Sequence, residues 1–282
     1  MQQATADSAR AEQRRIADAF LAARRTGAAI RDYPGRAPAS LEEAYAIQDA
    51  AIAEWPAAIA GWKVGRIVGA DAERLGADRL AGPIFADRMK LGPARRPAEI
   101  FANGFAAVEG EIVIILSADA PPEKTVWSLE EARALIGAVH AGAEIASSPF
   151  IEINDHGPLV TISDFGNNFG LVVGDEIPDW RRFDVARWTC ETRIDGVSVG
   201  RENPGSIPGG PVESLRFLLE LSARRGLPLR KGAAVSTGAI TGVHGVRVGQ
   251  SASIAFDGVR PIIIDIIAYA PAAPITAARI VG

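Results

Sequence analysis

Cysteine is almost missing: Cys190 is the single one in 282 residues. One thiol excludes an intrachain disulfide and a thiolate metal cluster. It sits in a β-prone run, Trp188-Thr189-Cys190-Glu191-Thr192, and reads as a small core residue rather than a nucleophile. Histidine is scarce as well. His140, His156 and His244 are too scattered for a zinc motif, and each reads as structural. No apolar run reaches the roughly 18 residues that span a bilayer. Where a secretion signal would place an apolar core, the chain carries Asp7, Arg10, Glu12, Arg14 and Arg15. A cytoplasmic protein that does not engage a membrane is expected. Charge of neither sign dominates: 30 Lys and Arg face 34 Asp and Glu, for a formal net charge of -4. The scattered Arg-Arg pairs form no dense basic patch, so nucleic acid is not an expected partner. There is no phosphate loop ending in Lys-Ser/Thr and no Gly-x-Ser-x-Gly elbow. The glycines at 238, 242, 245 and 249 do not fit a dinucleotide fingerprint. Nicotinamide and serine-triad chemistry therefore recede.

What is present is a globular composition, 48% hydrophobic and 23% charged, with ample length for a large core. Residues 4–26 repeat Ile16, Phe20 and Ala23 at helical spacing, with Gly27 as a stop. Ser40-Leu-Glu-Glu43 fits a capping box, so a helix is predicted over 41–54. Residues 69–81 read as helical, and 82–89 as a turn carrying Asp87. Ser128-Leu-Glu-Glu131 is a second capping box, predicting a helix to about His140. Residues 161–170 read as a polar, glycine-punctuated loop, the kind of segment that carries function or simply turns the chain. The rest is β-rich: strands are predicted at 188–194, 197–199, 233–236, 251–256 and 262–267, with Asp195-Gly196 and Asp257-Gly258 as hairpin turns and a helix over 211–225. Pro93 to Pro97 marks a boundary between a helical and mixed region, 1–92, and a β-rich region, 93–282.

Chemistry concentrates in carboxylates and one lysine. Val108 and Ile112 to Leu116 read as a buried strand interrupted by Glu109 and Glu111. Spacing i, i+2 puts both carboxylates on one face. Two like charges on an apolar strand must bind a cation, share protons, or lie at a wet strand end. Oxygen-only ligands favour a hard cation such as magnesium or manganese. Lys63, inside Gly61-Trp62-Lys63-Val64-Gly65, is short of solvent and should face a cleft or pair with an anion.

Several stretches together resemble one family, the 2-keto-4-pentenoate hydratases of the fumarylacetoacetate hydrolase superfamily. They are Gly61 to Gly65, Gly82-Pro-Ile-Phe-Ala-Asp87, Val108-Glu109-Gly-Glu111-Ile112, Ala143-Glu144-Ile-Ala-Ser-Ser148, Asp164-Phe-Gly-Asn167-Asn168 and Thr237-Gly238. The resemblance implies an α+β fold, a mixed β-roll with a helical N-terminal region, in a homo-oligomer. It implies one divalent cation, Mg2+ or Mn2+, held by Glu109, Glu111 and Glu144, with Glu152 the weaker competitor for third ligand. It places Lys63 in the active site, with Asp87 or Asp164 to position water, and Asp164, Asn167 and Thr237 in the substrate pocket. The chain departs from the family at Asp164-Phe165, where many relatives carry Asp-Asn, so Asn167 or Asn168 would supply the missing polar group. The implied substrate is a small 2-oxo or 2-hydroxy-dienoate, hydrated to a 4-hydroxy-2-oxoacid in aromatic catabolism. Decarboxylation of a 2-oxo-enedioate, hydrolytic C–C cleavage, and a non-catalytic partner subunit are the alternatives. Arg66, Arg79 and Arg88 read as surface residues that can meet a second carboxylate.

Overall fold

The computed structural model describes residues 2–182 and 184–271. Residues 272–282, the end of the 93–282 region, lie outside the described residues. Helix α1 (Gln2–Thr26) stops at Gly27, whose φ of 73° is the left-handed value that glycine tolerates. It buries Ile16, Ala17, Phe20 and Leu21 and packs on α2 (Leu41–Glu54). The Ser40 hydroxyl accepts from the Glu43 N–H, one half of the capping box. The Glu43 carboxylate instead accepts from the Ala39 N–H at 2.9 Å and from Arg36.

Two further predictions over-extend helices. Helix α3 covers only Gly69–Leu75 and ends on left-handed Gly76. Residues Arg79–Phe85 are a strand, not helix and turn. Strand β1 (Ile59–Arg66) pairs antiparallel with this β2 (Arg79–Phe85). Pro83 is tolerated because β2 lies at the end of the sheet, where a missing N–H breaks no ladder. A single 3-10 turn, Ala86–Arg88, leads into β3 (Met89–Leu91), followed by β4 (Arg96–Ile100) and β5 (Phe105–Leu116). Helix α4 (Leu129–Ala134) has both arms of its capping box but stops six residues short of His140. The chain there is β6 (Ile136–Ser148), which lies between β5 and β7 (Asn168–Glu176), and pairing on both sides overrides its alanine content. The 161–170 segment splits into the end of helix α5 (Pro158–Ser163), a tight turn, and the start of β7.

The β-rich remainder follows the pattern closely. Strands β8 (Cys190–Ile194) and β9 (Val197–Glu202) turn at Asp195-Gly196, both at positive φ. Helix α6 (Gly210–Arg224) buries Leu215, Leu218 and Leu219. Strands β10 (Ala234–Ser236), β11 (His244–Gly245), β12 (Ser251–Phe256) and β13 (Ile262–Ala268) complete the fold.

Among the described residues the strands form two sheets. One has the order β2-β1-β10-β5-β6-β7-β3, with β11 also on β5; the other is β4-β13-β12-β8-β9. Strands β1 and β2 of the 1–92 region thus share a sheet with β5, β6 and β7 of the 93–282 region. The first sheet is mixed, since β1–β10 and β3–β7 are parallel pairs. The architecture is α+β. Val108, Ile112 and Ile114 of β5 join the main core with Ile254, Phe256 and Ile264 of the second sheet. Gly110 is required on that face: a Cβ there would lie 2.6 Å from the Cys190 Sγ. The other face of β5 carries Val113, packed with Ile84 and Leu171, and next to it the two glutamates.

Candidate functional site

Period-2 alternation puts Glu109 and Glu111 on the face of β5 opposite Gly110 and Ile112. The β5–β6 register pairs Glu109 with Glu144 and Glu111 with Gly142. Residues directly opposite share a face, so Glu144 joins the two glutamates. One oxygen from each carboxylate lies within 4.8 Å of the others, and all three residues are buried. The Glu111 Oε2 accepts from the Ser236 Oγ at 2.5 Å and the Gly238 N–H at 2.9 Å. The Glu144 Oε1 accepts from the Asn168 Nδ2 at 3.0 Å and lies 3.5 Å from the Lys63 Nζ. The Glu111 Oε1 and Glu144 Oε2 are buried with no hydrogen-bond partner among the described residues.

That electrostatic balance is incomplete. Burial first, then the Glu144 charge, pushes the Glu109 carboxyl up to about 7, with Lys63 acting in the opposite sense. Burial and the neighbouring carboxylates hold Glu111 well above its ordinary value too. Burial works against the Lys63 ammonium, but Glu144, Glu109 and Glu111 outweigh it and raise its pKa. A single ammonium facing three carboxylates leaves an excess of negative charge and two orphaned oxygens. A hard divalent cation fits this donor set on charge and ligand chemistry.

A turn from α5 to β7 closes over the lysine. Phe165, Gly166 and Asn167 all have left-handed φ, at 56°, 63° and 55°. For the two residues with a Cβ that costs about 1 kcal/mol each. Gly82 of β2 makes room: a Cβ there would lie 2.0 Å from the Phe165 carbonyl oxygen. The turn brings the Asn167 Oδ1 to 3.5 Å from the Lys63 Nζ, while its Nδ2 donates to the Asn154 Oδ1 at 3.0 Å. A cavity of about 520 Å³ is lined by Lys63, Glu109 and Asn167, with Arg66, Asp71 and Asn154 among the other lining residues.

The structure therefore brings Lys63, Asn167, Glu109, Glu111 and Glu144 together. It does not bring Asp87 to them. Asp87 lies exposed on the Ala86–Arg88 turn, beside Arg88, and lines a separate cavity with Lys90 and Glu99. Asp164 is buried against Arg24 and Ser148 and does not line the Lys63 cavity. Thr237 is also buried; its hydroxyl donates to the Ile112 carbonyl, which seats Ser236 and Gly238 on Glu111. Glu152 is exposed beside His156, away from the triad. Arg79 is not a surface residue: it is buried, hydrogen-bonded to Asp78 and the Pro208 carbonyl. Burial raises the Cys190 thiol to about 12, in keeping with a core role.

No sequence pattern singles out Ser236, Asn154 or Arg24, and Asn168, offered with Asn167 as a pocket group, holds Glu144 instead. Ser236 adjoined the Thr237-Gly238 motif, so a shift of one residue would have found it. Arg24 left no signal, being one arginine among several on an Arg-rich helix.

Fold and site together define an α+β protein with a buried carboxylate triad beside a lysine. No family model matches the chain. It is similar to the 2-keto-4-pentenoate hydratases: it is 27% identical over 232 residues to 2-keto-4-pentenoate hydratase 1 of Dechloromonas aromatica, covering 78% of this chain and 83% of that protein. The 4-oxalocrotonate decarboxylase of Pseudomonas putida G7, solved with magnesium and adipate, shares the fold with a TM-score of 0.76. It is 19% identical, over 92% of this chain and 98% of that one. Fumarylacetoacetate hydrolase from Exiguobacterium antarcticum matches with a TM-score of 0.54 at 15% identity, over 76% and 77% of the two chains.

Proposed function

We propose that the protein is a metal-dependent hydratase that adds water to a 2-hydroxy-2,4-dienoate, giving a 4-hydroxy-2-oxoacid. The observation that carries this reading is the buried triad with two unpartnered carboxylate oxygens, set beside Lys63 at a cavity of small-molecule size. Glu109, Glu111 and Glu144 would hold one Mg2+ or Mn2+. Bound there, the ion supplies Lewis acidity towards the substrate's carboxylate and 2-oxygen.

The chain's own residues do the rest. In the reaction a proton leaves the 2-hydroxyl and another is added at C5; water then bonds through oxygen to C4, and C3 takes a proton. The Lys63 ammonium is placed to pair with the substrate carboxylate and to hand over a proton. Asn167, fixed by Asn154, orients that ammonium. Asn168 and Ser236 hold one oxygen each of Glu144 and Glu111, which fixes both carboxylates and leaves their other oxygens without a partner among the described residues. Among the described residues no histidine lines the cavity, which favours hydration over C–C hydrolysis by a histidine base. One observation favours a second reading. Exposed Arg66 lines the same cavity and can meet the second carboxylate of a 2-oxo-enedioate, which would lose carbon dioxide.

The test is a chelator-stripped protein given Mg2+ or Mn2+ and 2-hydroxypenta-2,4-dienoate, with dienol absorbance followed. Metal-dependent loss is expected. No loss, together with carbon dioxide released from a 2-oxo-enedioate, would replace the hydratase by the decarboxylase.

A further inference from the structure

The most completely bonded charged side chain near the site belongs to neither the triad nor the cavity. Arg24, on α1, is buried and lies 140 positions from Asp164 in sequence, yet sits directly behind the left-handed turn. Its Nε donates to the Asp164 Oδ1 at 2.5 Å and its Nη2 to the Asp164 Oδ2 at 3.0 Å. Its Nη1 donates to the Asn168 carbonyl at 3.0 Å, and its Nη2 to the carbonyls of Asp164 at 3.1 Å and Ser147 at 3.4 Å. The guanidinium lies 5.0 Å from the Phe165 ring centre and within 6 Å of those of Phe101 and Phe169. The Ser148 hydroxyl completes the cluster on the Asp164 Oδ2 at 2.6 Å.

One planar fork thus ties together the end of β6 and both ends of the turn, Asp164 and Asn168. That turn holds two non-glycine residues at positive φ, a conformation that persists only where the surroundings enforce it. Its two asparagines are the ones that touch the chemistry: Asn167 meets Lys63, and Asn168 holds Glu144. We propose that Arg24 is a positioning residue, acting through Asp164 and the 165–167 turn to set the Glu144 carboxylate and the Lys63 ammonium. Asp164 then anchors the turn from behind instead of meeting substrate. The proposal rests on Glu144 being a metal ligand, as above.

Lysine can replace the charge of Arg24 but not its fork of donors. Arg24→Lys should therefore bind Mn2+ about tenfold more weakly in chelator-stripped, folded protein, the size usual for groups that orient a metal ligand. Its kcat should fall while its KM for the dienol moves less. Asn168→Ala should weaken Mn2+ binding similarly, and the double variant should bind no more weakly than the poorer single, since both act on Glu144. Wild-type Mn2+ affinity in Arg24→Lys, or losses that multiply in the double variant, would overturn the proposal. Arg24→Met/Asp164→Leu removes both buried charges and guards against a folding failure. It should bind Mn2+ weakly whatever its thermal stability, and wild-type affinity there would also overturn the proposal. Glu111→Gln separates the two readings. Mn2+ binding undiminished in Glu111→Gln removes the metal site itself; binding lost there yet intact in the Arg24 variants removes only the role of Arg24.

Discussion

Glu109→Gln should stabilise the metal-free protein, and only at the alkaline side of its range. The Glu109 carboxyl ordinarily titrates near 4.5, and burial with the Glu144 charge moves it to about 7 in the folded chain. A folded-state pKa above the unfolded one means that ionisation disfavours the fold. Stability is then complete below the unfolded pKa and is lost as pH rises through about 7. At about 1.4 kcal/mol per pH unit the whole effect is on the order of 3 kcal/mol, most of it lost between pH 5 and pH 8. Glutamine keeps the shape and removes the proton. Urea unfolding in chelator at both pH values measures the difference. Wild type should lose about 2–3 kcal/mol more than Glu109→Gln between them, and saturating Mn2+ should abolish the gap by favouring the ionised fold. Parallel pH dependences for the two proteins would refute the electrostatic account of the triad.

Other expectations follow from neighbouring contacts. Lys63→Met removes the cation facing three buried carboxylates, so metal-free stability at pH 8 should fall by about 3 kcal/mol, measured by urea unfolding. Gly82→Ala drives a methyl into the Phe165 carbonyl; unfolding should become easier by about 1–3 kcal/mol, and turnover should fall more than stability predicts because the turn must move. Cys190 should resist maleimide in the folded protein and react only on unfolding, read by mass spectrometry, because it is buried and its thiol is raised to about 12.

How much of this was legible in the sequence follows from the range of the interactions involved. The i, i+2 spacing of Glu109 and Glu111 put both on one face because strand alternation is local. The Asp195-Gly196 turn and the Ser128 capping box are equally local, and both are present. Glu144 is different. Its place across from Glu109 depends on strand register, which no short stretch encodes, and only the family resemblance supplied it. The same limit explains the misread start of β6, residues 136–140, which favour no element until β5 and β7 flank them. Arg24 pairs with a residue 140 positions away, so neither its burial nor its partner could be read from α1. Asp87 and Asp164 carried plausible chemistry as residue types; exposure places the first apart from the cavity, and a buried ion pair occupies the second.

The claim that bears the most weight is that Glu109, Glu111 and Glu144 hold one divalent cation. Titrating Mn2+ into chelator-stripped protein, with free ion read by electron paramagnetic resonance, tests it directly. One Mn2+ per chain in the wild type, and none at the same concentrations in Glu111→Gln, is the predicted result. No binding in the wild type, or binding undiminished in Glu111→Gln, would contradict it.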